Sequence, residues 1–454
     1  MSVKPQPANP DQAEQLLAPL LERLTTYYPR AIDPNLDRTF RLVHDLGDPH
    51  LNLPPVIHIA GTNGKGSTLA AIRAIAEAAG MSCHVMTSPH LVRFNERLVL
   101  AGQEITTPEL LDVLEEAERL NAGQETTSFE LITAAGFLAF SRQKADLCLL
   151  ETGMGGRLDA TNIIAAPLAT VITVISYDHT QFLGSTLKAI AGEKGAIMKK
   201  GAPSIIGPQT VEGLRDGVMG LFADMAESIG TPLYRHGYEW SFEPTAQGFI
   251  LHTGTDTYDF PRPNLLGAHQ IANAATAAMT LLTIQSNLPK PVTATALDQG
   301  ITHIRWPGRL QRLTKGPLSE TLSEGWELWV DGGHNDTGGQ VLAEQAALWT
   351  ADEKPLHLVM GMLNTKDPRV FLAPLSPHVA SMHSVIIPDQ PLSLSATELA
   401  DLARDVIKTL PTSVKAAETP LEAVQDIVAQ SPRPGRILIT GSLYLAGEIL
   451  RDNG

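Results

Sequence analysis

The sequence predicts an α/β protein built from two units, each with a mostly parallel β-sheet. Short, continuously apolar runs alternate with helical patterns from residue 55 onward, a glycine-rich turn joins one run to a helix, and the alternation restarts near Arg309. Continuous rather than alternating apolarity indicates strands buried on both faces, as in parallel sheets. We therefore expect a larger first domain at residues 1–306 and a smaller Rossmann-like domain at residues 307–454.

The individual elements follow in chain order. Residues 1–50 have helical patterns, interrupted by prolines at positions 29 and 34. Residues 231–261 are rich in aromatic residues between turn residues and predict a small antiparallel sheet, and an alanine-rich helix follows at 268–285. Residues 315–325 read as a turn or hairpin loop. The predicted strands are Val56–Ala60, Cys83–Met86, Asp146–Leu150, Ala169–Ile175, Ser204–Ile206, Glu327–Val330, His357–Met360, Ser384–Ile387 and Arg436–Thr440.

Composition excludes several classes of protein. The chain has 454 residues, 43% hydrophobic and 18% charged, as is typical of a globular protein. Its net charge of −15 argues against nucleic acid as a partner. No apolar run approaches the roughly 20 residues that span a bilayer, and the N-terminus lacks a signal peptide's apolar core. We expect a cytoplasmic monomer with no membrane partner, and with Cys83 and Cys148 as reduced core residues.

The turn after Val56–Ala60 predicts a phosphate-binding loop. It runs through Gly61 and Gly64 to Lys65 and Ser67, and an amphipathic helix follows. Glycines let backbone N–H groups approach phosphates, and the helix N-terminus adds a partial positive charge. Lys65 would reach the terminal phosphates, and Ser67 would offer its hydroxyl to Mg²⁺. The alternative is an ordinary glycine turn between a strand and a helix.

Polar residues follow three other predicted strands. Glu151 ends the run at 146–150 and opens a glycine-rich segment, residues 151–162, while Ser88 and His179 follow two more strands. Carboxylate oxygens suit Mg²⁺, and ligands of open α/β sheets bind at the carboxyl ends of strands, which makes Glu151 a candidate metal ligand. The alternatives are a solvated strand-end carboxylate for Glu151, a turn cap for Ser88 and a structural histidine for His179.

The phosphate-binding loop has a particular variant pattern. Ile59 stands where the common G-x-x-x-x-G-K-[ST] pattern has its first glycine, and Gly66 separates Lys65 from Ser67. Gly-Thr-Asn-Gly-Lys-Gly-Ser resembles the loop of the Mur ligase superfamily and, within it, the folylpolyglutamate synthases. This resemblance implies ATP-dependent amide formation with two Mg²⁺ ions. It also implies nucleotide binding by the loop residues Asn63, Gly64, Lys65, Gly66 and Ser67.

The resemblance extends to other segments and implies roles for their residues. Ser67, Ser88, Glu151 and His179 would be metal ligands, and Lys65, Lys194 and His179 would be catalytic. The family's counterpart of Lys194 is carbamylated by CO₂, although by charge alone it is a solvated lysine. The residues implied to bind ATP elsewhere are Asn273, Arg309, Asp331 and His334, the last three from the second unit. Asn273 could instead be a cap or a helix–helix contact, and Arg309 could form an interdomain salt bridge.

The resemblance also implies an acceptor site. Residues 126–130 resemble the stretch that holds pterin substrates in bacterial bifunctional enzymes, so Thr127, Ser128, Phe129 and Glu130 would bind substrate, together with Leu158, Asp159 and Ala160. Phe129 could stack on a pterin ring, or it could be a core residue in a helix capped by Ser128.

The implied reaction joins L-glutamate to dihydropteroate and to reduced folates through an acyl phosphate. Alternatives are folylpolyglutamate synthase activity alone, a cell-wall Mur-type amino-acid ligase and a non-catalytic nucleotide switch. The segment Tyr28–Asp33 resembles the folate branch rather than a uridine-nucleotide domain. Arg309, Asp331 and His334 would have no purpose in a switch.

Overall fold

The computed structural model describes residues 10–25, 35–254, 256–407 and 413–454. Contacts between Cα atoms divide the chain into two compact units, residues 1–264 with 271–305 and residues 265–270 with 306–454. These units are defined by contacts alone, and the domain boundary at 306/307 stays a prediction. The segment Tyr28–Asp33 lies outside the described residues.

The first unit contains an eight-stranded sheet and a three-stranded sheet. The eight-stranded sheet has the order β4-β3-β2-β5-β1-β6-β7-β8 and is parallel except for the β2/β3 and β3/β4 pairs, while β9, β10 and β11 form an antiparallel sheet. The strands are β1 Val56–Ala60, β2 Cys83–Met86, β3 Leu98–Leu100, β4 Gln103–Glu104, β5 Leu147–Glu151, β6 Ala169–Ile172, β7 Ser204–Ile206, β8 Leu233–Arg235, β9 Trp240–Pro244, β10 Gly248–Thr253 and β11 Asp256–Pro261.

Helices of this unit cover the sheet and build its core. The α-helices are α1 Pro10–Thr25, α2 Leu36–Asp45, α3 Lys65–Ala78, α4 Thr107–Asn121, α5 Ser128–Arg142, α6 Thr180–Leu183, α7 Leu187–Gly195, α8 Val211–Arg215, α9 Val218–Ile229, α10 Ala268–Thr283, whose first residues cluster with the second unit, and α11 Ala294–Thr302. Single 3₁₀ turns lie at Pro49–Asn52, Phe94–Arg97, Ala160–Ile163 and Gln285–Asn287. One apolar cluster joins α1, α2, α4 and α5 to the sheet, and another joins α7 and α9 to it.

The second unit is built around a six-stranded sheet of order β12-β13-β17-β14-β15-β16, parallel except for β12. Its strands are β12 Gln311–Leu313, β13 Glu327–Val330, β14 Leu356–Met360, β15 Val379–Ser384, β16 Val414–Ala416 and β17 Arg436–Thr440. Its helices are α12 Pro317–Glu320, α13 Asp336–Trp349, α14 Pro368–Leu375, α15 Ala396–Val406, α16 Pro420–Gln430 and α17 Leu443–Asn453, with 3₁₀ turns at Thr350–Asp352 and Ser376–His378.

The predicted α/β class is confirmed. Of the antiparallel sheet predicted at 231–261, only β9–β11 form one, because β8 is a parallel partner of β7 in the large sheet. One further strand was wrongly placed. The strand predicted at Ser384–Ile387 lies at Val379–Ser384 instead, and the apolar run continues beyond its end, with Val385 and Ile387 buried and Ile386 exposed. The strand escaped detection because its polar side chains are buried with partners: His383 Nε2 lies 2.7 Å from Asp426 Oδ2. In the segment predicted as a loop at 315–325, the structure has the one-turn helix α12.

The central position of β1 determines where a site can form. β1 pairs with β5 on one side and β6 on the other, all parallel, so the segments that follow these strands meet at one edge of the sheet. Both β1 and β5 are buried along their whole length, as the continuous apolar runs predict. Among the described residues, no helix is long and apolar enough to cross a membrane.

Candidate active site

The loop between β1 and α3 has the strand-loop-helix arrangement that the sequence predicts. Gly61 has φ +151°, and a Cβ there would lie 1.8 Å from Oγ1 of Thr173. Gly64 precedes the helix with φ +82°, and a Cβ there would lie 2.6 Å from Oδ1 of Asn273. The positive φ favours glycine at both positions, and at Gly61 any side chain would also overlap Thr173. The second contact also brings Asn273, on α10, against the loop, although its role in ATP binding stays a prediction.

Other loop residues are anchored on neighbouring strands. Asn63 forms an isolated bridge with Val174, and its carbonyl accepts from Oγ1 of Thr173 at 2.7 Å. Gly66 and Ser67 lie in the first turn of α3, where the Ser67 side chain is buried. The loop is therefore fixed from the β6 side. The sequence does not signal the contribution of Thr173, which depends on contacts between residues about 110 positions apart.

Lys65 lies at the start of α3, close to Glu151. Its Nζ donates to the carbonyls of Gly61 at 3.2 Å and Thr62 at 3.3 Å, and it is 3.9 Å from Oε1 of Glu151. Glu151, the last residue of β5, is only 6% exposed. A cation and a buried carboxylate therefore meet at the carboxyl edge of the sheet.

Ser88 joins this group from the neighbouring strand. β2 and β5 are parallel partners, so the residues that follow β2 lie beside the end of β5. The backbone N–H of Ser88 donates to Oε2 of Glu151 at 3.4 Å, and the Ser88–Pro89 peptide bond is cis. The predicted metal ligands Ser88 and Glu151 are thus adjacent.

Lys194 reaches the same loop from α7. It is 5% exposed, and its Nζ donates to the carbonyl of Gly61 at 2.9 Å. The two lysines Lys65 and Lys194 therefore share one acceptor. Burial and the charge of Lys65 lower the pKa of Lys194 to about 7, so its amine is neutral over much of the mildly alkaline range.

His179 lies in a conformation that is unusual for a non-glycine residue. It precedes α6 with φ +49°, and its backbone N–H donates to Oδ1 of Asp178 at 2.9 Å. Its Nε2 is 3.8 Å from the same oxygen. Asp178 also contributes to the electrostatic environment of Lys194, which links the two segments. Asp178 was not among the predicted site residues, although its position next to His179 was a signal.

The predicted acceptor residues surround the glycine-rich segment after Glu151. A Cβ at Gly153 would lie 2.5 Å from the Phe129 ring, so the ring packs directly against this glycine. Asp159 folds back on the same segment: its Oδ2 accepts from the backbone N–H groups of Gly153 at 2.8 Å and Met154 at 2.9 Å. Leu158 is half-buried, and Ala160 begins the buried 3₁₀ turn that follows. The fold therefore brings both Phe129 and Asp159 against the glycine-rich segment at Gly153.

The start of α5 is held by a network that the sequence did not reveal. Thr127, rather than Ser128, is the N-cap, and it forms a capping box with Glu130. Glu130 is buried and accepts from Nη2 of Arg38 at 2.9 Å. Ser128 is the first residue of the helix, and Phe129 is half-buried. The Glu130 side chain thus has partners within the protein, and its predicted contact with substrate stays a prediction.

The predicted residues of the second unit form a cluster of their own. Asp331, at the end of β13, accepts from the backbone N–H groups of Leu310 at 2.8 Å and Gly333 at 2.7 Å. Burial raises the pKa of Asp331, and the nearby charge of Arg309 opposes this effect. Nδ1 of His334 is 3.0 Å from the carbonyl of Gly332. The unit places these three residues near one another.

Models of two families match this chain. The Mur ligase middle domain matches residues 59–281, and the C-terminal domain of dihydrofolate synthetase matches residues 315–452. A dihydrofolate synthase/folylpolyglutamate synthase of Bacillus subtilis is 32% identical over 92% of this chain and 94% of its own length.

Two solved structures are similar over almost the whole chain. E. coli FolC in complex with DHPP and ADP has a TM-score of 0.84 at 28% identity, over 99% of this chain and 98% of that one. A bifunctional folylpolyglutamate synthase/dihydrofolate synthase with Mn, AMPPNP and L-glutamate bound has a TM-score of 0.82 at 28% identity, over 98% and 99% of the two chains.

Proposed function

Because this chain belongs to the dihydrofolate synthase/folylpolyglutamate synthase family of the Mur ligase superfamily, we propose that it joins L-glutamate to dihydropteroate and to reduced folates, with ATP as the energy source. It is an ATP-dependent ligase. The observation that supports this most directly is the placement of Lys65, Glu151 and Ser88 around the phosphate-binding loop. We further propose that it acts as a cytoplasmic monomer.

The residues at the sheet edge fit a divalent cation bound together with nucleotide. Glu151 is a buried carboxylate beside the loop, and hydroxyl groups of Ser67 and Ser88 lie in the adjoining segments. Among the described residues, no group of three or more His, Cys, Asp or Glu side chains is arranged to hold a metal alone. That agrees with Mg²⁺, which commonly takes few protein ligands and keeps waters and phosphate oxygens. We propose Glu151, Ser67 and Ser88 for one ion and His179 for a second.

The chemistry assigned to the chain's own residues is mainly electrostatic. The acceptor's carboxylate oxygen attacks the γ-phosphorus of ATP, the bond to the β-phosphate oxygen breaks, and ADP leaves. Lys65 would offset the negative charge that develops on the phosphate oxygens, and bound Mg²⁺ would neutralise those oxygens further. The amine of glutamate then attacks the acyl carbonyl, phosphate leaves, and the amine loses a proton as the amide forms.

The acceptor is proposed to lie against Phe129 and the glycine-rich segment. The ring of Phe129 is half-buried beside Gly153, which leaves part of its surface for a pterin. Dihydropteroate and folates share that ring, so one site can serve both reactions. Thr127, Ser128, Glu130, Leu158, Asp159 and Ala160 complete the proposed site.

Lys194 is proposed to act as its carbamate. A neutral amine attacks the carbon of CO₂, and loss of one proton leaves an anionic carbamate. The burial of Lys194 and its lowered pKa favour the neutral amine. Asn273 of the first unit, and Arg309, Asp331 and His334 of the second, are proposed to bind ATP.

The experiment is an incubation of the purified protein with ATP, Mg²⁺, L-glutamate and either dihydropteroate or tetrahydrofolate. We expect ADP release that depends on both acceptor and glutamate, with dihydrofolate or a longer folate chain as product. Turnover with tetrahydrofolate alone would restrict the function to folylpolyglutamate synthesis. ADP release that needs neither acceptor nor glutamate would contradict the ligase assignment.

A further inference from the structure

His58 occupies an unusual place for a histidine. It lies in the middle of β1, between Ile57 and Ile59, and it is completely buried. Its Nε2 is 2.8 Å from Oγ1 of Thr161, while Nδ1 has no hydrogen-bond partner among the described residues. An unpaired buried nitrogen destabilises the folded state. Its cross-strand neighbours are Leu150 and Thr170, so the hydrogen bond to Thr161 is the contact that sets this histidine apart from an apolar strand residue.

The hydrogen bonds around Thr161 determine which group donates and which accepts along the series of hydrogen bonds that starts at His58. Oγ1 of Thr161 is 2.6 Å from Oδ1 of Asp159, which also accepts from the backbone N–H of Thr161 at 3.0 Å. Burial raises the pKa of Asp159, while the donors around it from Thr161, Gly153 and Met154 act in the opposite direction and stabilise the ionised form. In that form the carboxylate only accepts, so the threonine hydroxyl donates its single proton to Asp159. The same hydroxyl must then accept from His58, which fixes the neutral histidine with its proton on Nε2. Burial, followed by the charge of Lys199, lowers the pKa of His58 to about 3, in agreement with a neutral ring.

This series of hydrogen bonds ends at the segment that follows Glu151. The other oxygen of Asp159 accepts from the backbone N–H groups of Gly153 and Met154. All four donors recorded for this carboxylate come from its own loop, so its geometry organises the loop. The Phe129 ring also packs against Gly153. Gly153 thus contacts both Asp159 and Phe129.

We propose that His58 is a positioning residue for the acceptor substrate. It orients the Thr161 hydroxyl, which orients Asp159, which in turn fixes the backbone of Gly153 beneath Phe129. The inference rests on the proposed function, because it takes this loop and Phe129 as the acceptor site. Since β1 continues into the phosphate-binding loop, one strand carries both the nucleotide loop and the anchor of the acceptor loop.

The main test compares His58→Leu with His58→Gln. Leucine removes the donor, while the amide nitrogen of glutamine can occupy the place of Nε2. We expect His58→Leu to raise KM for dihydropteroate about tenfold, as for a lost buried hydrogen bond, with KM for ATP within about twofold of wild type. His58→Gln should recover most of the loss. The matched control is His84→Leu on β2, since His84 is equally buried but bonds to the Gln143 carbonyl, and its KM for dihydropteroate should not change.

A second pair of variants covers the case in which His58→Leu fails to fold. Thr161→Val removes the hydroxyl and should raise the same KM, whereas Thr161→Ser should not. Nitrogen-15 NMR of histidine-labelled wild-type protein should show one ring with its proton on Nε2, and Thr161→Val should shift that signal.

The possible outcomes separate this inference from the proposed function. An unchanged KM for dihydropteroate in both His58→Leu and Thr161→Val, in an active protein, would overturn the positioning role alone. An equal rise in KM for ATP and for dihydropteroate would overturn it too, since that indicates general disruption. Absence of glutamate-dependent turnover in the wild type would instead overturn the proposed function, and the NMR tautomer would then still test the hydrogen-bond chain.

Discussion

Carbamylation of Lys194 is the prediction with the clearest quantitative basis. Burial and the charge of Lys65 lower the pKa of this lysine from 10.5 to about 7. At pH 8 an ordinary lysine with the first value is about 0.3% neutral, and one with the second is about 90% neutral. The nucleophilic fraction therefore rises about 300-fold. We expect Lys194 to react with CO₂ at a pH where exposed lysines are almost entirely protonated.

The assay combines NMR with kinetics. Protein equilibrated with carbon-13 bicarbonate and Mg²⁺ at pH 8 should show a carbamate signal that is absent from Lys194→Ala and present in Lys188→Ala, an exposed lysine variant on the same helix. Removal of CO₂ should lower turnover of wild type and leave Lys194→Ala, already slow, unchanged. Acetate should restore part of the activity of Lys194→Ala, because a small carboxylate can replace the anionic end.

Two kinetic results and one NMR result would refute this reasoning. One is a wild-type rate that does not depend on CO₂ while Lys194→Ala is slow, which would assign the unmodified lysine to catalysis. The other is a Lys194→Ala variant with the full rate, which would leave the buried lysine with a structural role. A carbamate signal of equal size in Lys194→Ala would show that another lysine reacts.

Three further predictions follow from the site and its supports. Lys65→Ala should lower kcat by about 10²–10³ with unchanged circular dichroism, because the lysine acts on developing phosphate charge; near-normal turnover would contradict the loop assignment. Arg38→Met should lower the free energy of unfolding by about 3–5 kcal/mol in urea, since it leaves Glu130 buried without its cation, and the double variant with Glu130→Met should recover part of the loss. In CO₂-free buffer between pH 7 and pH 9, the free energy of unfolding of wild type should rise with pH more steeply than that of Lys194→Met, by about 1 kcal/mol per pH unit. The reason is that above the folded pKa of Lys194 the unfolded chain binds more protons than the folded protein. Parallel pH profiles of the two proteins would argue against the lowered pKa of Lys194.

The sequence predicted the strands that are buried on both faces and failed where burial involves polar side chains. Val56–Ala60 and Arg436–Thr440 were predicted with their observed bounds because apolar residues predominate in each run. β15 was misplaced because His383 and Ser384 interrupt its apolar character, and their partners lie on other elements. Hydropathy scales measure the free energy of transferring a side chain from water. They therefore do not identify a polar side chain that is buried together with its hydrogen-bond partner.

The site residues also divide into those that a local sequence pattern identifies and those whose partners are distant in the sequence. The loop and the strand-end Glu151 could be identified locally, because strand, glycines, lysine and helix are neighbours in the chain. The pairing of Arg38 with Glu130 joins residues 92 positions apart, and that of His58 with Thr161 joins residues 103 positions apart. No pattern in a single sequence connects such positions. Glu130 and Asp159 were predicted as substrate-binding from a motif, and the structure adds hydrogen bonds from each side chain to neighbouring protein groups that the motif does not signal.

The carbonyl of Gly61 connects these observations into one electrostatic argument. A chain of net charge −15 must bind anionic substrates through local cations, and the two lysines beside the loop both donate to this carbonyl. Two ammonium groups at one acceptor repel each other, which helps to lower the pKa of Lys194. Conversion of Lys194 into an anionic carbamate would remove that repulsion and leave Lys65 as the cation that faces the phosphates. The loss of turnover on acidification and the loss of the carbamate signal should therefore share one midpoint, and two separate midpoints would show that another group controls the rate.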